Sequence, residues 1–255
     1  MTLISVNNLS VTYAGAAMPA LAGVTLALQP AERLAIIGES GSGKSTLARA
    51  VAGLLPQGAR VTGQIITPDG PLRLGRDIGY IFQDPAGSLN PVLSIGAHLV
   101  EVIRRHLPLS RRAAMDKAAD LLAQVQLPAQ ALAGYPHQFS GGQRQRIAIA
   151  LAIAAGPKLL IADEATSALD VLVQAEITAL LRDLCDRTGM ALLFITHDMA
   201  LAGGLADRIA VLNRARLEEI GPAHTILTAP QAAYTQALLA SHLDLTAPRL
   251  VEDAL

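Results

Sequence analysis

Lys44 and Ser45 close the run Gly38-Glu39-Ser40-Gly41-Ser42-Gly43-Lys44-Ser45, with Thr46 following, and this spacing can cradle phosphate. Glycines let backbone N–H groups face an anion, and a helix opening at the end of the loop adds the partial positive charge of its N-terminus. In such a loop Lys44 reaches the β- and γ-phosphates of a nucleoside triphosphate and Ser45 offers its hydroxyl to Mg2+. A second constellation, Asp163-Glu164, ends the apolar run Leu159 to Ala162. If the extended geometry continues, the two carboxylates point to opposite sides and can take different jobs. Asp163 would hold Mg2+ through its hydration shell, and Glu164 would orient or deprotonate the water that attacks the γ-phosphate. The third constellation is Phe139-Ser140-Gly141-Gly142-Gln143, a second glycine-rich turn ahead of a helix expected over Arg144 to Ala155. It supplies another set of N–H donors for another phosphate face. One chain cannot easily turn both sets on one nucleotide, so the three constellations describe a split ATP site.

These residues need elements to position them. The phosphate-loop pattern carries meaning only between a buried strand and a helix. Leu34 to Ile37 supply the strand, and Leu47, Val51 and Leu54 share one face of the expected helix. Further apolar runs at Ile78 to Phe82, Leu159 to Ala162, Ala191 to Thr196 and Arg208 to Leu212 are continuous rather than alternating. That is how strands buried on both faces of a parallel α/β sheet read. Val173, Ile177, Leu180 and Leu184 mark one face of a longer helix that Gly189 ends. Between Asp84 and Ala155 the pattern turns helical, with Ala114, Ala118, Leu121 and Val125 on one stripe after a Ser110 N-cap. Residues 1 to 30 alternate and carry turn signals, which predicts an antiparallel sheet. The expected architecture is α/β: a nucleotide-binding core over 1–83 and 158–230, a helical insertion over 84–157, and a C-terminal helix, Ala232 to Leu239, with a polar tail inside 231–255.

Composition narrows the function classes. The chain of 255 residues has a formal net charge of -1, and its longest basic tracts are the pairs Arg104-Arg105 and Arg111-Arg112. Nothing there tracks a phosphate backbone, so nucleic acid is not an expected partner. The single cysteine, Cys185, cannot build an internal disulfide or a multi-cysteine metal site, and reads as a packing residue of a helix. Hydrophobic residues make up 51%, but the longest candidate span, Ile147 to Ala155, is too short to cross a bilayer. The N-terminus lacks the basic and small-residue features of a secretory signal, so a cytoplasmic location is expected.

Taken together, the phosphate loop, the Ser140 turn and Asp163-Glu164 resemble the ATP-binding-cassette ATPases over nearly the whole chain. The resemblance implies a P-loop, RecA-like core with an N-terminal antiparallel β-subdomain and an inserted α-helical subdomain. It implies ATP and Mg2+ as ligands and a head-to-tail dimer, in which Ser140, Gly141, Gly142 and Gln143 complete the site of a partner subunit. Gln83, after Tyr80-Ile-Phe82, matches the family's Q-loop glutamine, which contacts Mg2+ or the lytic water. His197, closing Leu192 to Thr196, matches the switch histidine. Ser167-Ala-Leu-Asp170 matches the D-loop along the dimer seam, and Tyr13 matches the aromatic that stacks on adenine. Phe139 stands where the family more often has Leu.

Three further stretches, Phe82-Gln-Asp-Pro-Ala-Gly-Ser-Leu-Asn-Pro91, Tyr135-Pro-His-Gln-Phe139 and Val171-Leu-Val-Gln174, resemble the importer ATPases for dipeptides, oligopeptides and nickel or metal chelates. The branch's tail motif, Pro-x-His-Pro-Tyr-Thr, survives in part as Pro230-Gln-Ala-Ala-Tyr234-Thr235, and the short tail tilts the expectation toward nickel or metallophore members. This branch implies transmembrane permease subunits, a second cassette in a homo- or heterodimer, an indirect solute-binding protein, and a peripheral place on the cytoplasmic face of the inner membrane. The alternative is a non-transport cassette acting on chromosomes, repair or ribosomes. The interval from Lys44 to Ser140 is too short for the long coiled coils of chromosome-type members, and translation-type members usually carry two cassettes on one chain. A regulatory cassette would be expected to lose Glu164 or His197, and both are present.

Overall fold

The structure, a computed structural model, describes residues 2–68, 70–84, 87, 89–167 and 169–246, with side chains described as far as Ser241 in the last helix. Pro85, Ala86 and Ser88 of the Asp84 to Pro91 motif, Ala168 of the Ser167 to Asp170 turn, and the polar tail over 247–255 lie outside the described residues.

The chain opens with β1 (Ile4–Thr12) and β2 (Leu21–Leu28), paired antiparallel as alternation predicts. It continues into β3 (Arg33–Ile37), the phosphate loop and α1 (Lys44–Val51), then β4 (Arg60–Ile66) and β5 (Ile78–Ile81). The helical stretch holds α2 (Ile95–His106), α3 (Arg111–Gln124) and α4 (Gly141–Ala152), with two short 3-10 turns between α3 and α4. The remainder alternates: β6 (Leu159–Asp163), α5 (Val171–Thr188), β7 (Ala191–Ile195), α6 (Met199–Leu205), β8 (Arg208–Asn213), β9 (Arg216–Pro222), α7 (Ala223–Thr228) and α8 (Ala233–Thr246).

Two sheets result. One is antiparallel, in the order β2-β1-β4; the other runs β5-β6-β7-β3-β8-β9 and is parallel except for its last strand. The continuous apolar runs have a direct cause, since successive side chains of a strand enter opposite faces. Leu34 and Ile36 pack with β1, β2 and α1 on one face of the parallel sheet. Ala35 and Ile37 pack on the other face, in a core that also takes Leu99 of α2, Leu121 of α3, Ile147 of α4 and Leu184 of α5. The helical stretch is thus continuous with the core of the sheet. Cys185 is buried in that core, and burial pushes its thiol up to about 12, which leaves it inert at neutral pH.

Several boundaries depart from expectation. Gly53, at φ +69, closes α1 early, so Leu54 reaches the same core from the following turn rather than from the helix. Helix α4 starts at Gly141 instead of Arg144 because Ser140 caps it, and ends at Ala152. Helix α8 starts one residue later than expected and runs on to Thr246. Strands β4 and β9 were not legible. The residues of β4 are mostly exposed and interrupted by Gly63 at φ +85, so no buried alternation appears. The β8–β9 hairpin turns through Arg214 and Ala215, at φ +43 and +71, without the Asn-Gly or Asp-Gly pair that announces such turns.

Candidate active site

Parallel pairing brings the chemistry together. Ile81 lies beside Ala162, Asp163 beside Ile195, and Ile36 beside Ile195, so β5, β6, β7 and β3 end along one edge of the sheet. Ligands of open α/β sheets bind beyond that edge. The loop after β3 needs its glycines. Gly38 has φ +149, and a Cβ there would collide with the Leu212 carbonyl; Gly43 has φ +107, and a Cβ would sit 2.5 Å from the Ala20 carbonyl. With that room the loop turns directly into α1.

The loop is preformed. Lys44 is buried and its Nζ donates to the carbonyls of Gly38 at 2.7 Å and Glu39 at 2.8 Å, folding the side chain back over the loop. Burial pushes the Lys44 ammonium below the ordinary lysine range, and Glu164 and Asp163 pull it back part of the way. A cavity of about 370 Å³ opens over Ser40, Gly41, Gly43, Lys44, Ser45 and Thr46, and it is also lined by Tyr13, Gln83 and Glu164. That volume suits a small-molecule ligand. Tyr13 shares a hydrogen bond of 3.0 Å with the Thr46 hydroxyl, which fixes its ring at the mouth of the loop. Gly38, Glu39 and Ser42 do not line the cavity. They form its frame, with Ser42 Oγ buried and unpartnered among the described residues.

The two carboxylates do not point to opposite sides. Asp163 is the last residue of β6, and Glu164 adopts φ +48, a left-handed conformation that few non-glycine residues occupy. The turn swings Glu164 toward the same cavity, where its Oε1 stands 4.0 Å from Lys44 Nζ and its Oε2 accepts from Gln83 Nε2 at 2.9 Å. Asp163 is buried below. Its Oδ1 accepts from Ser45 Oγ at 2.8 Å and its Oδ2 from the Tyr80 hydroxyl at 2.7 Å. The two carboxylates differ in their partners rather than in direction, Asp163 meeting Ser45 and Tyr80 while Glu164 meets Gln83 and Lys44. Ser45 and Asp163 present hard oxygens side by side, the donor type Mg2+ takes when phosphates and water fill its remaining positions. Gln83 meets Glu164 through its amide nitrogen, which leaves its amide oxygen for other ligands.

Tyr80 was not expected in the site. Burial, then the adjacent Asp163 carboxylate, raises its phenol far above the ordinary range, so it remains a neutral donor. A tyrosine inside a fully buried strand needs a partner for its hydroxyl, and that was the available signal.

Other expected residues lie apart from the cavity. Ser140 is exposed and caps α4, accepting from Gln143 N at 3.3 Å while Gln143 Oε1 accepts from Ser140 N at 3.0 Å. Gly141 and Gly142 form the first turn, and a Cβ on Gly142 would meet Val173 at 2.8 Å, so the turn packs closely on the start of α5. Asp170 caps α5 through a 3.0 Å bond from Val173 N. His197 follows β7 and is exposed, without a hydrogen-bond partner among the described residues.

The chain is similar to known proteins in both sequence and fold. The model of the ABC transporter family matches residues 21–167. The chain is 44% identical to the peptidoglycan transport ATP-binding protein YejF of Agrobacterium fabrum, over 94% of the chain and 47% of the relative, so it spans about half that protein's length. It is 42% identical to the dipeptide transport ATP-binding protein DppD of Bacillus subtilis, over 97% of the chain and 79% of the relative. To the oligopeptide transport ATP-binding protein OppD of the same organism it is 41% identical, over 94% of the chain and 71% of the relative. Among solved structures, the cassette MJ0796 in a dimeric, post-hydrolysis state bound to ADP and Pi superimposes with a TM-score of 0.76 at 27% identity, covering 86% of this chain and 98% of that one. The cbiO1 protein of Clostridium perfringens, part of the ABC transporter complex cbiONQ, gives 0.77 at 25% identity, covering 97% and 96%. With the family model matching more than half of it and relatives above 40% identity covering nearly all of it, the chain belongs to the ABC transporter family as one of its ATPase cassettes.

Proposed function

We propose that this cassette binds ATP at the sheet edge, closes head to tail on a second cassette, and drives peptide uptake through a separate permease. One observation carries the reading. Lys44, Ser45, Gln83 and Glu164 line one cavity, with Asp163 buried beneath it and bonded to Ser45, whereas the capped Ser140 turn stands exposed outside it. A helix N-terminus with free N–H groups, left off its own chain's nucleotide site, fits the phosphate face of a partner's nucleotide.

Each residue then has a role that its geometry suits. Gly41, Gly43 and Thr46 hold the phosphates through the loop, and Lys44 turns from the loop carbonyls toward the β- and γ-oxygens. Ser45 and Asp163 hold Mg2+, which when bound screens the charge that develops on the phosphoryl oxygens. Glu164 takes a proton from the attacking water, with Gln83 fixing its second oxygen. Tyr13 offers a ring face to adenine. His197 and Asp170 lie apart from the cavity in the single chain, and in the closed dimer His197 would hold the γ-phosphate while Asp170 would lie along the seam. Binding free energy closes the dimer and moves the permease, and hydrolysis releases it.

The permease contact belongs to the apolar groove beside Gln83, walled by Leu74, Ile81, Phe82 and Leu151, where Phe82 is exposed. The names of the relatives above, peptidoglycan, dipeptide and oligopeptide transport, favour a peptide cargo over nickel or a metal chelate. No helix among the described residues is long and apolar enough to cross a membrane, and attachment to the inner face of the membrane through the permease follows from the reading. The test is to tag the chain, extract membranes in mild detergent and identify what copurifies. Two polytopic permeases and a second cassette are expected, with the solute-binding protein of the same system naming the cargo. Recovery free of permeases, under conditions that preserve other transporters, would favour the non-transport alternative.

A further inference from the structure

Tyr80 is the third residue of β5, a strand whose four residues are all buried. Its hydroxyl donates 2.7 Å to Asp163 Oδ2, while Oδ1 of the same carboxylate meets Ser45 at 2.8 Å. A carboxylate on a short side chain keeps one soft rotation, about its Cβ–Cγ bond. A donor on one oxygen therefore decides where the other points. The ring itself is held, tilted against Phe82 with centroids 4.5 Å apart. The donor is also suited in charge. A cation on Oδ2 would neutralise the carboxylate and weaken its pull on a metal, whereas a neutral O–H orients it and leaves its charge in place.

We propose that Tyr80 is a positioning residue for the metal carboxylate, its phenol locking Asp163 Oδ2 so that Oδ1 and Ser45 Oγ face one Mg2+ position. This rests on the reading of Asp163 as the carboxylate that serves Mg2+. Outer partners of metal ligands are commonly worth about tenfold or more in metal affinity. Among the described residues the hydrogen bonds of Tyr80 and of the phosphate loop meet at Asp163, so the loop's hold on phosphate alone should not depend on the phenol.

The experiment compares Tyr80→Phe, which deletes one oxygen and keeps the ring, with the unaltered protein. Affinity for a non-hydrolysable ATP analogue is measured by titration calorimetry in excess Mg2+ and again in excess EDTA. In Tyr80→Phe the affinity in EDTA should hold, while the enhancement given by Mg2+ should fall by about tenfold. An unchanged enhancement overturns the proposal. So does a loss of affinity in EDTA accompanied by a drop in melting temperature, because that pattern marks a packing residue of the strand edge. Asp163→Asn separates the two readings. If that variant keeps the full enhancement, Asp163 is not the metal carboxylate and the underlying assignment fails. If Asp163→Asn loses the enhancement and Tyr80→Phe keeps it, the assignment stands and only the role of Tyr80 falls.

Discussion

At the residue scale, Glu164 has the geometry of a general base held ready. Its backbone is turned into the left-handed region, its Oε2 is tied to Gln83, and its Oε1 faces Lys44 across 4.0 Å. Replacing Glu164 with Gln keeps the shape and removes the base, so turnover should fall by about 10²- to 10⁴-fold while ATP affinity changes little. Single-turnover hydrolysis beside equilibrium nucleotide binding checks this, and brisk turnover in that variant would reassign the base. Lys44→Ala should act differently. It removes the ammonium and opens the carbonyl contacts that hold the loop, so binding itself should weaken, read as a rise in nucleotide Kd.

At the element scale, the turn before α4 caps its helix and, in the proposed function, meets the partner's phosphate, and substitutions can separate the two. Ser140→Ala deletes a capping box and should cost about 1 kcal/mol of stability along with turnover. Ser140→Asp restores a cap but sets a negative charge toward a phosphate, so it should recover melting temperature without recovering hydrolysis. The seam between β3 and β8 offers a pH prediction. Burial raises the Asp207 carboxyl, but hydrogen bonds from the Arg33 side chain and backbone, with its charge, more than offset this and hold it below the ordinary aspartate range. A carboxyl depressed in the folded state contributes stability that is complete above its unfolded value and lost as pH falls through the folded one. Asp207→Asn should therefore lower the melting temperature at neutral pH, and the gap from the unaltered protein should close below about pH 4.

At the scale of the whole molecule, the proposed function makes the site of one chain a half. Ser140 stands outside the cavity, and beside its turn Val171 and Leu172 at the start of α5 are 79% and 78% exposed. A head-to-tail dimer predicts complementation. Mixing Lys44→Ala chains with Ser140→Arg chains, each inactive alone, should restore measurable ATPase, because one of the two composite sites then has an intact phosphate loop and an intact Ser140 turn. A chain that worked alone would show no recovery on mixing. The sequence by itself determined the phosphate loop, the buried parallel strands, the helical stretch and the family, because each rests on local spacing or on apolar runs that only doubly covered strands produce. It did not show β4 or β9, whose exposed residues and glycine-free turn carry no local signal. Only the tertiary structure decided that Glu164 turns into the cavity, that Gln83 meets it, and that Tyr80 holds Asp163. Those contacts join residues about 80 positions apart, and strand order alone sets which side chains meet at the sheet edge.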